Sequence, residues 1–129
     1  MLVHFPVALW PAHWGFHVAS RWLPPGLAGP AGFWLLLAGT AVGWLAAVCG
    51  LADAVTFRAK ADSARLGRAL WHGGVNGGVL LGFSVLLGLE WPRYPEISHG
   101  PASLAGEALL LAAMLAGNYL GGGIDWRKS

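Results

Sequence analysis

Four apolar stretches, at about residues 2–23, 31–57, 69–89 and 102–124, account for most of this 129-residue chain. A helix needs about 20 apolar residues to cross a hydrocarbon layer about 30 Å thick. In lipid, every backbone polar group must be satisfied inside the protein, which leaves helices as the spanning element for stretches of this length. Charge usage agrees: 11% of the residues are charged and 56% apolar, against about 25% charged in a soluble domain. The expected fold is all-α, an integral membrane four-helix bundle in a single domain over 1–129. Short connections make successive helices antiparallel neighbours, hence an up-down-up-down order.

Local signals set the expected ends and contacts of these helices. Pro24-Pro25-Gly26 stops the first. Pro6 lies in its opening turn, and Pro11, which cannot donate to the carbonyl of Val7, predicts a kink. The opening stretch lacks a basic leader region and contains His4, Pro6, Pro11, His13 and His17, so it is read as a mature helix rather than a signal peptide. Gly39 with Gly43, the glycines from Gly73 to Gly82, and Gly117 with Gly121 form small-residue faces suited to close helix packing. The lone Cys49 permits no internal disulfide and reads as a small apolar filler.

Orientation follows from the cations. Six of the eight Lys and Arg residues (Arg58, Lys60, Arg65, Arg68, Arg127 and Lys128) fall at the end that carries both termini, and Arg21 and Arg93 fall opposite. By the positive-inside rule both termini are expected in the cytoplasm, which for a bacterium means an inner-membrane protein. Trp22, Trp34 and Trp91 are expected at the outer interface, and Trp71 and Trp126 at the inner one. A net charge of +2 with no basic stripe argues against nucleic acid as a partner.

The stretch from Arg68 to Gly78 draws most attention, since it sets His72 and Asn76 four residues apart on one helix face, with glycines around them. An imidazole inside a hydrocarbon layer needs a compensating partner. In the expected topology helices one and three run parallel, so His4 and His72, each about one turn inside the apolar boundary, stand at similar depth. If these helices are diagonal, a haem b fits between them, with one axial nitrogen from each histidine. Gly73, Gly74, Gly77 and Gly78 would then clear the ring edge, and Arg58, Arg65 and Arg68 would pair the propionates. If the helices are adjacent, a small metal ion fits better, with Asp53 as a third ligand.

Asp53 otherwise either fixes the tautomer of His4 or His72 or ends its helix in a salt bridge with Arg58 or Arg68. His17 and His99 form a second, weaker pair near the opposite surface, and His13 reads as packing or lipid contact. Intramembrane histidines can also simply hydrogen-bond a neighbouring helix.

These residues resemble a known family. Leu2-Val3-His4-Phe5-Pro6-Val7-Ala8-Leu9, Gly50-Leu51-Ala52-Asp53, His72 with Asn76, and Leu120-Gly121-Gly122 are similar to the pattern of the bacterial domain-of-unknown-function family 2231, over essentially the whole chain. The family often carries a further His-Pro before its Val-His-Phe-Pro, and a Val-Tyr run after the glycines; neither is present here. The resemblance implies a four-helix membrane domain. Relatives fused to Rieske or c-type cytochrome domains imply work beside electron-transfer chemistry, without assigning a reaction.

The expected function is a haem b-binding subunit, not itself an enzyme, for electron transfer or anchoring among other membrane subunits of a redox complex. Two alternatives accompany it: a cofactor-free structural or assembly subunit whose polar cluster fixes helix packing, and a small transporter or metal-handling protein using His4, Asp53 and His72.

Overall fold

The computed structural model describes residues 4–58, 63–95 and 100–122. Four helices follow one another: α1 (His4–Ala19), α2 (Pro25–Arg58), α3 (Ser63–Glu90) and α4 (Pro101–Gly122), with a 3-10 turn at Trp91–Arg93 after α3. Prolines open α2 and α4, where a missing N–H costs nothing because the first helical amides have no intrahelical acceptor. At the end of α1 the Ser20 hydroxyl donates to the carbonyl of His17 at 2.6 Å. The amides of Trp22 and Leu23 both close on the carbonyl of Ala19, and Pro24 prevents a further turn.

The bundle has the expected order. α1 packs on α2 and α4, and α3 packs on the same two, so α1 and α3 lie across the diagonal. Among the described residues, three spans are long and apolar enough to cross a membrane: Gly26–Val55, Ser63–Arg93 and Pro101–Tyr119. The first helix departs from the expectation of four such spans. Its 16 residues cover about 24 Å, because the turn at Ser20 ends it early. α2, at 34 residues, covers about 51 Å and starts several residues before the expected 31. Pro11 lies inside α1, which nevertheless continues as one helix through it.

Packing is organised around one aromatic pair. Trp10 and Phe83 stack across the diagonal, with centroids 4.4 Å apart and planes 13° from parallel. They join Leu36, Val79, Leu80 and Met114 in the buried core. Gly39 and Gly43 admit this pair: a Cβ on Gly39 would stand 2.8 Å from the Trp10 indole, and one on Gly43 would stand 2.9 Å from Leu80. Gly82 likewise makes way for Leu110, whereas a Cβ on Gly73, Gly74, Gly77 or Gly78 would meet nothing within 4 Å. Polar side chains join the helices as well: the Trp14 indole N–H donates to the carbonyl of Leu104 and that of Trp44 to the Ser84 hydroxyl, each at 3.1 Å.

Outside, large apolar side chains such as Leu45, Val48, Leu51, Leu109 and Leu115 are exposed, as a lipid-facing surface requires. Trp22, Trp34 and Trp91 are exposed at the end bearing the α1–α2 and α3–α4 connections, hereafter the distal end, and Trp71 toward the basic end. Cys49 is exposed on α2.

Candidate metal centre

The strongest polar feature of the bundle lies at its distal end. His13 and His17 are four residues apart on α1, hence on one face. The Trp10–Phe83 pair sets the register of the two parallel helices. His17 lies seven residues beyond Trp10 and Glu90 seven beyond Phe83, so the two reach the same level. From α4, Glu107 comes down beside them. All four side chains are buried, none more than 2% exposed, and each offers a ligand atom such that all four atoms lie within 4.8 Å of one another.

Closer geometry shows how the group is oriented. His13 Nδ1 stands 2.8 Å from the carbonyl of Gly32 on α2. A carbonyl only accepts, so Nδ1 carries the proton, and the neutral ring turns the lone pair of Nε2 toward the carboxylates. That Nε2 lies 3.5 Å from Glu107 Oε2 and 4.0 Å from Glu90 Oε1. His17 spans both acids, with Nδ1 3.0 Å from Glu107 Oε2 and Nε2 3.9 Å from Glu90 Oε1. The two imidazoles meet edge-on, their centroids 3.7 Å apart. Gly32 is essential to this approach, since a Cβ there would sit 3.0 Å from Cδ2 and Nε2 of His17. Ser103, one turn before Glu107, donates its hydroxyl to Glu107 Oε1 at 3.2 Å.

Two carboxylates this close in an apolar layer are costly unless positive charge lies between or beside them. A divalent ion among them would cancel their charge. Ligands held at about 2.1 Å around a tetrahedral ion are about 3.4 Å apart, so ligand atoms that already lie within 4.8 Å of one another need only a modest contraction to bind one. Two imidazoles with two carboxylates suit borderline to hard ions such as zinc, iron or manganese rather than copper(I).

The residues singled out in the sequence lie mostly at the other end. His72 is half-buried between α3 and α4, and its Nδ1 donates to the carbonyl of Gly117 at 2.7 Å. Asn76 donates to the carbonyl of His72 at 2.9 Å, and its amide nitrogen is 3.2 Å from His72 Nδ1. Gly117 and Gly121 leave the space these two side chains fill. The orienting acceptor of His72 is therefore Gly117 rather than Asp53, which is exposed on α2. Arg65 is half-buried and Arg68 exposed on α3.

His4 and Arg58 occupy helical positions, but their side chains lie outside the described residues, as does His99. The depth expected of His4 and His72 differs from that of the backbone. His4 precedes Trp10 by six residues and His72 precedes Phe83 by eleven, which places His72 about 7 Å nearer the basic end. The lipid-contact reading of His13 is corrected: the residue is packed inside the bundle, as part of a buried polar cluster. His17 pairs with Glu107, and the expected partnership with His99 lies outside the described residues. Sequence reasoning missed Glu90, which falls just past the expected third stretch at 69–89, and Glu107. The available signal was a lone carboxylate inside each of two apolar helices, together with the His-x-x-x-His spacing on α1.

No curated protein and no solved structure matches the chain. A family model described as predicted membrane protein (DUF2231) matches residues 1–129, in agreement with the motifs and with the bundle, and the chain accordingly belongs to that family of predicted membrane proteins.

Proposed function

We propose that this membrane protein holds a transition-metal ion at its distal end and works as a redox subunit among other membrane subunits. The observation that carries this reading is the buried set of His13, His17, Glu90 and Glu107, whose ligand atoms converge within 4.8 Å in surroundings where uncompensated charge is expensive. Ionisable side chains inside a membrane bundle mark function far more often than they stabilise it. The excess of cations at the opposite end favours a bacterial inner-membrane location with both termini in the cytoplasm, which would set the cluster on the outer side.

A haem b between His4 and His72 is a second reading, and two observations favour it. α1 and α3 are diagonal, and the Gly117 carbonyl holds the His72 Nδ1 proton, so Nε2 is the nitrogen available to iron. Both readings are tested on one sample. Detergent-purified protein from metal- and haem-replete cells is analysed for total iron, zinc, manganese and copper, and its absorption spectrum is recorded before and after dithionite. About one metal per chain, lost in His13→Ala and retained in His72→Ala, supports the distal centre. Reduced haem bands lost in His72→Ala support the haem. A colourless, metal-free protein would defeat both and leave a scaffold whose polar groups fix helix packing.

A further inference from the structure

Within the distal cluster the four side chains are not equivalent, and we propose that the metal is bound by three of them, His13 through Nε2, His17 through Nε2 and Glu90 through its carboxylate. Glu107 then positions His17 without touching the ion. This rests on the metal reading above and adds its ligand set, its open coordination and the class of molecule it takes.

The inference follows the hydrogen bonds already committed. His13 spends Nδ1–H on the Gly32 carbonyl at 2.8 Å. Glu107 commits both oxygens, Oε2 to His17 Nδ1 at 3.0 Å and Oε1 to the Ser103 hydroxyl at 3.2 Å. With its Nδ1–H directed at Glu107, His17 presents the lone pair of Nε2 on the opposite side of the ring. The two Nε2 atoms then stand almost equidistant from Glu90 Oε1, at 4.0 and 3.9 Å, whereas Glu107 Oε2, 3.5 Å from His13 Nε2, already accepts from His17 Nδ1; the two Nε2 atoms and Glu90 Oε1 are fully shielded from solvent. Drawing Glu90 Oε1 and each Nε2 onto a common ion needs these two separations to shorten by about half an ångström.

Metal-bound histidines nearly always give their other N–H to a carbonyl or carboxylate, and here Gly32 and Glu107 supply one of each. Charge balance agrees. Glu90 in contact with a divalent ion leaves one positive charge, which the Glu107 carboxylate, one imidazole away, cancels.

Two histidines and one carboxylate on one side of an ion leave coordination positions open, the arrangement typical of non-haem iron(II) sites that bind small molecules. A closed structural site would instead use every position for protein ligands. Catalytic zinc sites share this open set, but ferrous iron is the ion that also takes a small diatomic molecule there, and the distal centre is assigned to it with such a molecule as exogenous ligand.

The test uses the full chain in lipid nanodiscs, loaded anaerobically with ferrous iron and titrated with nitric oxide as the probe. Wild type is expected to hold one iron per chain and to give the EPR signal of a high-spin iron–nitrosyl. Glu90→Gln should lose stoichiometric iron. Glu107→Gln keeps an acceptor for His17 Nδ1–H, so it should keep the iron and the nitrosyl signal, with iron affinity lowered about 10- to 100-fold.

If Glu107→Gln loses iron as completely as Glu90→Gln, or if iron-loaded wild type gives no nitrosyl signal, the site is a closed four-ligand one. The inference then falls while the metal reading stands. If wild type takes up no divalent metal, both fall. The nitrosyl measurement on wild type decides without any variant, so a poorly folding substitution does not blunt the test.

Discussion

At the scale of single residues, two glycine carbonyls do the orienting work, each on a helix facing a histidine. The Gly32 carbonyl holds His13 and the Gly117 carbonyl holds His72, while the side chains these glycines lack would meet His17 and Asn76 respectively, and Gly121 makes the room for His72. A methyl at Gly32 would press on the His17 ring at 3.0 Å. Gly32→Ala should therefore lower metal affinity about 10-fold by moving a ligand, read by metal titration in detergent. His72→Ala removes one interhelical hydrogen bond, and such bonds average about 0.6 kcal/mol in membranes. The expected result is a small drop in unfolding stability with the distal metal unchanged. A loss of distal metal in that variant would contradict the separation of the two sites.

At the scale of the element, the helices differ in how their glycines are used. The Gly39 and Gly43 face of α2 receives Trp10 and Leu80, while Gly73, Gly74, Gly77 and Gly78 face open space. All these pairs look alike as small-residue motifs, because spacing shows which residues share a face but not what lies opposite. Gly39→Ala sets a Cβ 2.8 Å from the Trp10 indole and should cost about 1–3 kcal/mol by overpacking. Gly74→Ala should be neutral, or stabilising by up to about 1 kcal/mol through helix propensity. Denaturant titrations of both variants in the same micelle check the contrast, and equal losses would mean that the furrow on α3 is packed after all. The shortness of α1 belongs here too. Its apolar run continues to Leu23, but the carbonyl of Ala19 closes a turn on Trp22 and Leu23 before the helix can use it.

For the molecule as a whole, antiparallel order puts the start of α1, the end of α2, the start of α3 and the end of α4 at one end and the His/Glu cluster at the other. Reporter fusions at the C-terminus and in the α1–α2 connection should report cytoplasm and periplasm respectively; the reverse pattern would move the metal site to the inner face. The membrane class, the helix order and the family were all legible in the chain itself, because hydropathy over about 20 residues and short connections constrain a bilayer protein so strongly. His72 and Asn76 were legible as unusual polar residues, and the interhelical bond of His72 to Gly117 agrees with that, whereas the side chain of His4 lies outside the described residues. What the chain could not display was the register between α1 and α3. That register depends on how Trp10 and Phe83 stack, and a shift of one turn would part His17 from Glu90. Ionisable groups drawn from α1, α3 and α4, separated by up to 94 positions from His13 to Glu107, become one site only when the packing of the core brings their helices to a common level.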